Sequence, residues 1–523
     1  MSEKKYNHIP KEKFSFVNEG ERLTDQKFED KPIGYFKDAW IRFRKSKASV
    51  VATVIICMII LYAFVAPLLI TSHDSTFMVN MYAKKPGRIA SLTGLEAFDG
   101  GLDRSFSEKG LVKSVGIGVG AVNWDGTPVS VADSLDSEYQ PMINIGEPQK
   151  IIGAGKKESL SFPCRIDSYL EVGFLYRSIQ QTELQKILDW EAETGKKVLY
   201  PLVEDNKWNI DANDANYWFK SSKGTPVALD ANGKAKTMAY STDLVLEDNY
   251  KRDADGNVIY YEYTGGGTLE TAQLKVRVLY YNYYQYLYGA TPDYILGTDS
   301  QGYDLALRIA GGIKLSLLVA VFVCVINFVL GAIYGAIEGY YGGTVDIIME
   351  RISDILWNVP FIVVATLFQI HLSKKLGPVP CLLFAYVVTG WISTASRVRT
   401  QFYRYKTQEY VMAARTLGAK DSRIIWKHIF PNSLGTIITS SALAIPSTML
   451  SESMLSFLGI VKLGTAESTS LGTLLADAQG IWTNYPHLMI YPAIVISLLM
   501  ICFNLFGNGL RDAFNPALRG VED

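Results

Sequence analysis

Glu452 is the residue of this sequence with the most to explain. It stands in an apolar run, Leu434 to Leu458, where an ionised carboxylate is costly unless it meets a cavity, a partner or water. Two readings follow. It lines a path across the membrane, or it is hydrogen-bonded near the external end of its helix. Asn327, Asn358 and Asn504, with Gln369, pose the same choice, because amides within apolar runs either line a polar path or hold helices together. Asp346, Glu350 and Arg351 fall between two such runs and suit a solvated ion-pair face or a contact with a cytoplasmic partner.

Enzymatic chemistry is poorly provided for. Gly153-Ala-Gly-Lys-Lys157 has neither the spacing nor the hydroxyl of a Gly-x-x-x-x-Gly-Lys-Ser/Thr nucleotide loop, and reads as an ordinary loop. The long polar stretch after the first apolar run holds one histidine, His73, at its edge and one cysteine, Cys164. That excludes a histidine-based nucleophile triad and a Cys/His zinc site from its interior. Counting alone leaves a carboxylate-based hydrolase open. Asp253, Asp255 and Asn257 surround Gly256, yet the glycine comes too early for the sixth place of an EF-hand loop, and a hairpin turn is the simpler reading. No catalytic residue and no metal ligand is expected, so energy for any work must come from another chain.

The elements that position these residues come from hydropathy. Among 523 residues, 48% are hydrophobic and 20% charged, with a net charge of −1, but the average hides a division. Runs long enough to span a bilayer, ~20 residues each, fall at 48–70, 315–337, 352–372, 378–394, 434–458 and 487–506. The expected fold is an α-helical polytopic membrane protein of six transmembrane helices. Between helices 1 and 2 it carries a mainly β (α+β) extracellular domain, residues 71–294. Turn signals at Asp230-Ala-Asn-Gly233 and Asp253-Ala-Asp-Gly-Asn257 argue for hairpins, and Leu184, Ile187, Leu188 and Trp190 for one helix over 180–194. The tyrosine run from Tyr280 to Tyr286, with Tyr288, reads as an interfacial aromatic belt or as a packed strand. Leu471 to Ala478 reads as a short helix in an external loop. Cys57, Cys324, Cys381 and Cys502 lie in apolar runs, so no disulfide framework is expected.

Residues 1–47 comprise a charged tail and a helix in the headgroup region, with Tyr35, Phe36, Trp40 and Phe43 among basic residues. The first apolar run begins too late for a signal peptide. Arg397, Arg399, Arg404, Lys406, Lys420, Arg423 and Lys427 place the loop between the fourth and fifth helices in the cytoplasm, and both termini with it. Lys374 and Lys375 pull the other way, but are fewer.

Within that loop, residues 409–431 spell two short helices with a break. Tyr410, Ala414 and Leu417 form an apolar stripe, with Glu409 and Arg415 elsewhere. Gly418 supplies a stop, Asp421 an N-cap for Ile424, Ile425 and Ile429, and Pro431 an end. Small residues at Ala413, Ala414, Gly418 and Ala419 would leave a shallow outer surface suited to a partner's groove. An interfacial amphipathic helix is the plain alternative.

Ala413-Ala414, Gly418 and Pro431 resemble the EAA loop of permease subunits of ABC importers. Glu409-Tyr-Val, Ala-Ala-Arg415, Leu417-Gly and His428-Ile-Phe-Pro-Asn432 resemble, more narrowly, the C-type permease of the oligopeptide/dipeptide/nickel family. Gly297-Thr-Asp299, Gly302, Asp304 and Arg308, and the terminal Asn504-Leu-Phe-Gly-Asn-Gly-Leu-Arg-Asp512, are similar to that family's segments, with Met412, Tyr303 and Asn508 as departures. The resemblance covers 295–520 strongly and the insert not at all. It implies a type I importer permease fold in the cell membrane, with 409–431 as the cytoplasmic coupling loop. It further implies a second, B-type permease subunit, two cytoplasmic ATPase subunits that carry the ATP and Mg, and an extracellular lipid-anchored or periplasmic peptide-binding protein. Lipid is then a partner and nucleic acid is not. Peptide import is the expected function; nickel or another small solute, or a receptor with a large ectodomain, are the rivals.

Overall fold

Ser46 begins the membrane region, its hydroxyl accepting the backbone N–H of Ser49 at the start of a long apolar helix. We obtained the structure as a computed structural model describing residues 35–70, 77–89, 95–152, 158–266, 272–464 and 469–514. The expected tail at 1–30, His73, the loop 153–157 and Pro516 lie outside the described residues. Helix α1 (Tyr35–Lys45) lays Ala39 and Phe43 against the last helix, with the Phe43 and Phe506 rings 5.5 Å apart, and Trp40 faces outward. Helix α2 (Lys47–Leu69) buries Ala52, Ala63 and Ala66 and turns Val51, Val54, Met58, Leu61 and Phe64 outward.

The chain then enters and leaves its polar region by one stem. Residues 77–88 and 294–303 zip together: Val79 N–H donates to Gly302, Lys84 to Asp299 and Arg88 to Tyr294, at 3.1, 2.8 and 2.9 Å. Antiparallel sheets fill the region between. Strands β1 (Gly101–Ser107), β4 (Glu158–Asp167) and β2 (Met142–Ile145) form the first, with β3 (Gln149–Ile152) also on β4. Strands β10 (Tyr261–Gly265), β11 (Gln273–Leu279) and β5 (Phe174–Gln180) form the second, with β6 (Leu199–Tyr200) also on β11. A small sheet joins β7 (Ser221–Ser222), β8 (Thr225–Leu229) and β9 (Ala235–Thr237). The Asp230 turn links β8 to β9, and the Asp253 carboxylate closes its own turn by accepting the Asn257 and Asp255 N–H groups, as hairpin chemistry requires.

Helix α3 (Glu108–Val122) runs through the middle of this domain. It escaped the sequence reading because Gly116, Gly118 and Gly120 weaken a helical pattern. The glycines are there for room: a Cβ on Gly120 would lie 2.6 Å from Trp218 Nε1, which donates to the Gly116 carbonyl at 2.7 Å. A short α4 (Val131–Ser134) follows, and α5 (Gln181–Thr194) takes the place expected for a helix. The tyrosine run is neither belt nor strand: β11 ends at Leu279, and Tyr280–Tyr288 form helix α6, with Tyr280, Tyr283 and Tyr284 buried against Tyr82 and Tyr294. Tyrosine has no backbone rule against helix, and the available apolar pocket decided the outcome.

Helix α7 (Leu305–Tyr341) starts the second helical region, ten residues earlier than hydropathy suggests. Asp304 caps it, accepting Ala306 N–H at 2.8 Å. Helices α8 (Gly343–Trp357) and α9 (Phe361–Leu376) meet at a 69° bend, where Pro360 withholds an N–H. Then come α10 (Pro378–Thr389), α11 (Ile392–Tyr405), α12 (Glu409–Thr416) and α13 (Asp421–Arg423). Helices α14 (Phe430–Ala442), α15 (Ala444–Phe457), α16 (Leu471–Ala478) and α17 (His487–Phe514) complete the chain. Among the described residues five helical stretches are long and apolar enough to cross a membrane, or six if the bent α8–α9 pair is one span.

Candidate functional site: a helical knuckle and a polar seam

The knuckle at 409–431 is built inward from Val411. That side chain, with Ile424, Ile425 and Ile429, is buried against Ala332, Ala336 and Tyr340 of α7 and Val398 and Phe402 of α11. Each such burial contributes ~1.5–3 kcal/mol, enough to hold two short helices that could not stand alone. Gly418 has φ +78° and its N–H donates to the Arg415 carbonyl at 3.0 Å, so the break between α12 and α13 is a left-handed stop.

Three local expectations are corrected. Asp421 is not an N-cap; Lys420 holds that place, and the Asp421 carboxylate instead accepts the Tyr340 hydroxyl at 2.6 Å. Pro431 does not end the helix. Ile424–Ile429 widen into a π turn, Phe430 N–H reaching Ile425, and Pro431 sits at the first turn of α14, where a missing N–H is tolerated. The outer surface is not shallow, because Tyr410 and Leu417 of the apolar stripe point outward. Leu417 is 87% exposed and Met412 60%, with Tyr410 and Trp426 also outward. Glu409, Ala413 and Arg415 are exposed around them, Ala414 and Ala419 are half-buried, and Pro431 is exposed at the edge. Large apolar residues rise above the small ones on the protruding face.

Arg399 organises the region behind the knuckle, and sequence reasoning missed it. Its guanidinium meets Asp346 at 2.6 Å, Glu350 at 2.8 Å and Glu338 at 3.6 Å, while the Tyr403 hydroxyl donates to Asp346 at 2.6 Å. Asp346 and Glu350 are therefore parts of a partly buried network; Arg351 belongs to a separate exposed pair with Asp354. The α7–α11 approach beneath it depends on Gly331, Gly335 and Gly339. A Cβ on Gly331 would lie 2.6 Å from Thr394 and one on Gly339 2.7 Å from Phe402. The signal for it, glycine every fourth residue, was present in the sequence.

Two cavities run up from this network and share Trp357 and Ser393. The lower, about 390 Å³, is bordered by Glu338, Asp354, Arg397 and Arg399. The upper, about 270 Å³, is bordered by hydroxyls of Ser441, Ser447, Thr448 and Ser451 and by Asn327, whose buried Oδ1 has no hydrogen-bond partner. Of the four suggested pathway residues, Asn327 borders the upper of these two cavities and the other three border neither. Glu452 is 1% exposed, its carboxylate accepting Ser316 and Ser456 hydroxyls at 3.1 Å each, so it ties α15 to α7. Asn358 closes α8 by donating to the Asp354 carbonyl at 2.7 Å, and Asn504 faces outward on α17.

Residues 34–86 match the family described as N-terminal TM domain of oligopeptide transport permease C, and 327–520 match Binding-protein-dependent transport system inner membrane component. The oligopeptide transport system permease protein OppC of Bacillus subtilis is 41% identical over 228 residues, covering 43% of this chain and 73% of that protein. The dipeptide transport system permease protein DppC of the same organism is 39% identical over 233 residues, 43% and 70% of the two chains. OppC of Haemophilus influenzae is 41% identical over 225 residues, again 43% and 70%. A solved structure titled as inward facing conformations of the MetNI methionine ABC transporter aligns at TM-score 0.33 and 16% identity, over 40% of this chain and 96% of that one. By its knuckle, its apolar helices and these relatives, the chain belongs to the binding-protein-dependent transport system inner membrane components, in the oligopeptide and dipeptide permease C branch.

Proposed function

We propose that the chain is one permease half of an ATP-driven importer of oligo- or dipeptides, sitting in the cell membrane with both termini in the cytoplasm. A B-type permease subunit completes the channel, and each half rests its knuckle on one of two ATPase subunits, which carry the ATP and Mg. This reading counts six spans, taking α8 and α9 as one. The observation that carries it is the apolar ridge of Met412 and Leu417 exposed on a module whose inner face is fixed to α7 and α11. A motor that grips the ridge differently in its two states biases the spans between inward-open and outward-open, since only differential affinity moves such an equilibrium.

The two cavities that meet at Trp357 and Ser393 are this half's share of the path. In the upper cavity hydroxyls and one amide offer hydrogen bonds without a fixed charge, which suits a backbone of changing sequence, whereas the lower cavity is bordered by charged side chains. The domain on the stem docks or orients an extracellular peptide-binding protein; the match to the oligopeptide permease family stops at residue 86, inside the stem, which favours an inserted module. The test is uptake of labelled di- and oligopeptides by cells carrying the whole system. Accumulation that needs this chain, ATP and the binding protein is expected; accumulation of nickel alone would overturn the substrate assignment.

A further inference from the structure

A cavity of about 480 Å³ opens in the stem-mounted domain between the loop after α3, residues 204–206 and residues 245–252. Its size is within the ~300–1,000 Å³ of small-molecule sites. Gly126 forms one wall at φ +85°, where a Cβ would come within 2.8 Å of the Arg252 guanidinium. That arginine is already occupied by Asp248 at 2.7 Å, and Lys220 by Glu247 at 3.3 Å.

What is left over is acceptors. The Glu204 carboxylate has no hydrogen-bond or ion-pair partner among the described residues, although its own backbone is fixed by Asn249. Asn123, 1% exposed, carries an Oδ1 with no partner, while its backbone carbonyl is held by the Tyr250 hydroxyl at 2.9 Å. A buried acceptor without a donor is costly, and an entering donor removes that cost. Three carboxylates against two cations leave the cavity with one unbalanced negative charge. At its edge Leu229 and Val245 are exposed apolar side chains beside Pro128, with no partner in the domain core.

We infer that this cavity binds the free amino end of a peptide, its ammonium on Glu204 with Asn123 behind and its first side chain on Leu229 and Val245. An ammonium matches both leftover acceptors and the charge, and the apolar edge gives a use to a side chain that a simple amine lacks. The inference rests on the peptide-import reading and adds to it a second recognition point on the permease itself, which would hold peptide near the entrance.

The test uses the full chain purified in lipid nanodiscs and calorimetric titration with Leu-Gly-Gly, N-acetyl-Leu-Gly-Gly and spermidine. Leu-Gly-Gly is expected to bind, with at least tenfold weakening on acetylation and on Glu204→Gln, recovery in Glu204→Asp, and severalfold weakening in Leu229→Ser. Unchanged thermal midpoints identify the variants as folded. Equal binding of the acetylated peptide, tighter binding of spermidine, or no binding by the unaltered chain overturns the inference. Uptake separates it from its foundation: peptide import with no Leu-Gly-Gly binding sinks only this site, whereas binding without any peptide import supports the site and sinks the transport reading.

Discussion

The Tyr340 hydroxyl donates to Asp421 Oδ1 at 2.6 Å, joining the last turn of α7 to the second half of the knuckle. Arg415 from the first half lies over the same ring at 5.8 Å, so one tyrosine collects both arms. A hydrogen bond to a charged group is worth ~1.5–3 kcal/mol. Tyr340→Phe should leave the protein inserted and the ATPases bound, yet lower peptide uptake severalfold per ATP hydrolysed. Unchanged coupling stoichiometry in proteoliposomes would show that force does not pass through this contact.

Leu417 is the tip of the ridge. Burying it against a partner would contribute ~1.5–3 kcal/mol, so Leu417→Asp should cut co-purification of the ATPase subunits at least tenfold without changing the thermal midpoint of the permease alone. Retained ATPase in the pull-down would count against the ridge as the docking face.

Gly418→Pro attacks the same module through its backbone. Proline cannot adopt φ +78° and lacks the N–H given to Arg415. Uptake should be lost while membrane insertion, read by protease protection, is kept; normal uptake would sink the coupling role.

Arg399 balances Glu338, Asp346 and Glu350, and its removal strands them together. Because the site is only partly buried, Arg399→Gln should destabilise by about 2 kcal/mol, below the ~3–5 kcal/mol of a fully buried pair. The readout is a lowered thermal midpoint, with partial recovery in the double variant carrying Asp346→Asn.

Burial pushes the Asp304 carboxyl up to about 6, against the Ala306 and Leu307 N–H groups that favour its charge. Its folded value lies above the unfolded value, so the folded chain binds the proton more tightly. This contribution to stability is full below pH ~4 and is lost as pH rises through about 6. Thermal melts should show that slope in the native chain and a flatter one in Asp304→Asn; equal slopes would assign the pH dependence elsewhere.

Local chemistry alone determined much of this protein. Apolar runs announced the membrane helices, the Asp230 and Asp253 turns their hairpins, Gly418 its break, and the 409–431 pattern the family. These are legible because each depends on neighbours a few residues away. Tertiary structure decided the rest. Glu452 left two readings open, a path or a hydrogen-bonded place; the partner that decides for the second, Ser316, lies on another helix, and no local pattern reveals a hydroxyl supplied from that distance. Asp421 suited a cap until Tyr340 offered a better donor. The tyrosines of α6 carry no strong preference between helix and strand, so the pocket formed by Tyr82, Tyr169 and Tyr294 chose for them. Sequence fixes which groups need partners; only packing across distant segments determines which partners they find, because burial makes an unmatched polar group too costly to leave alone.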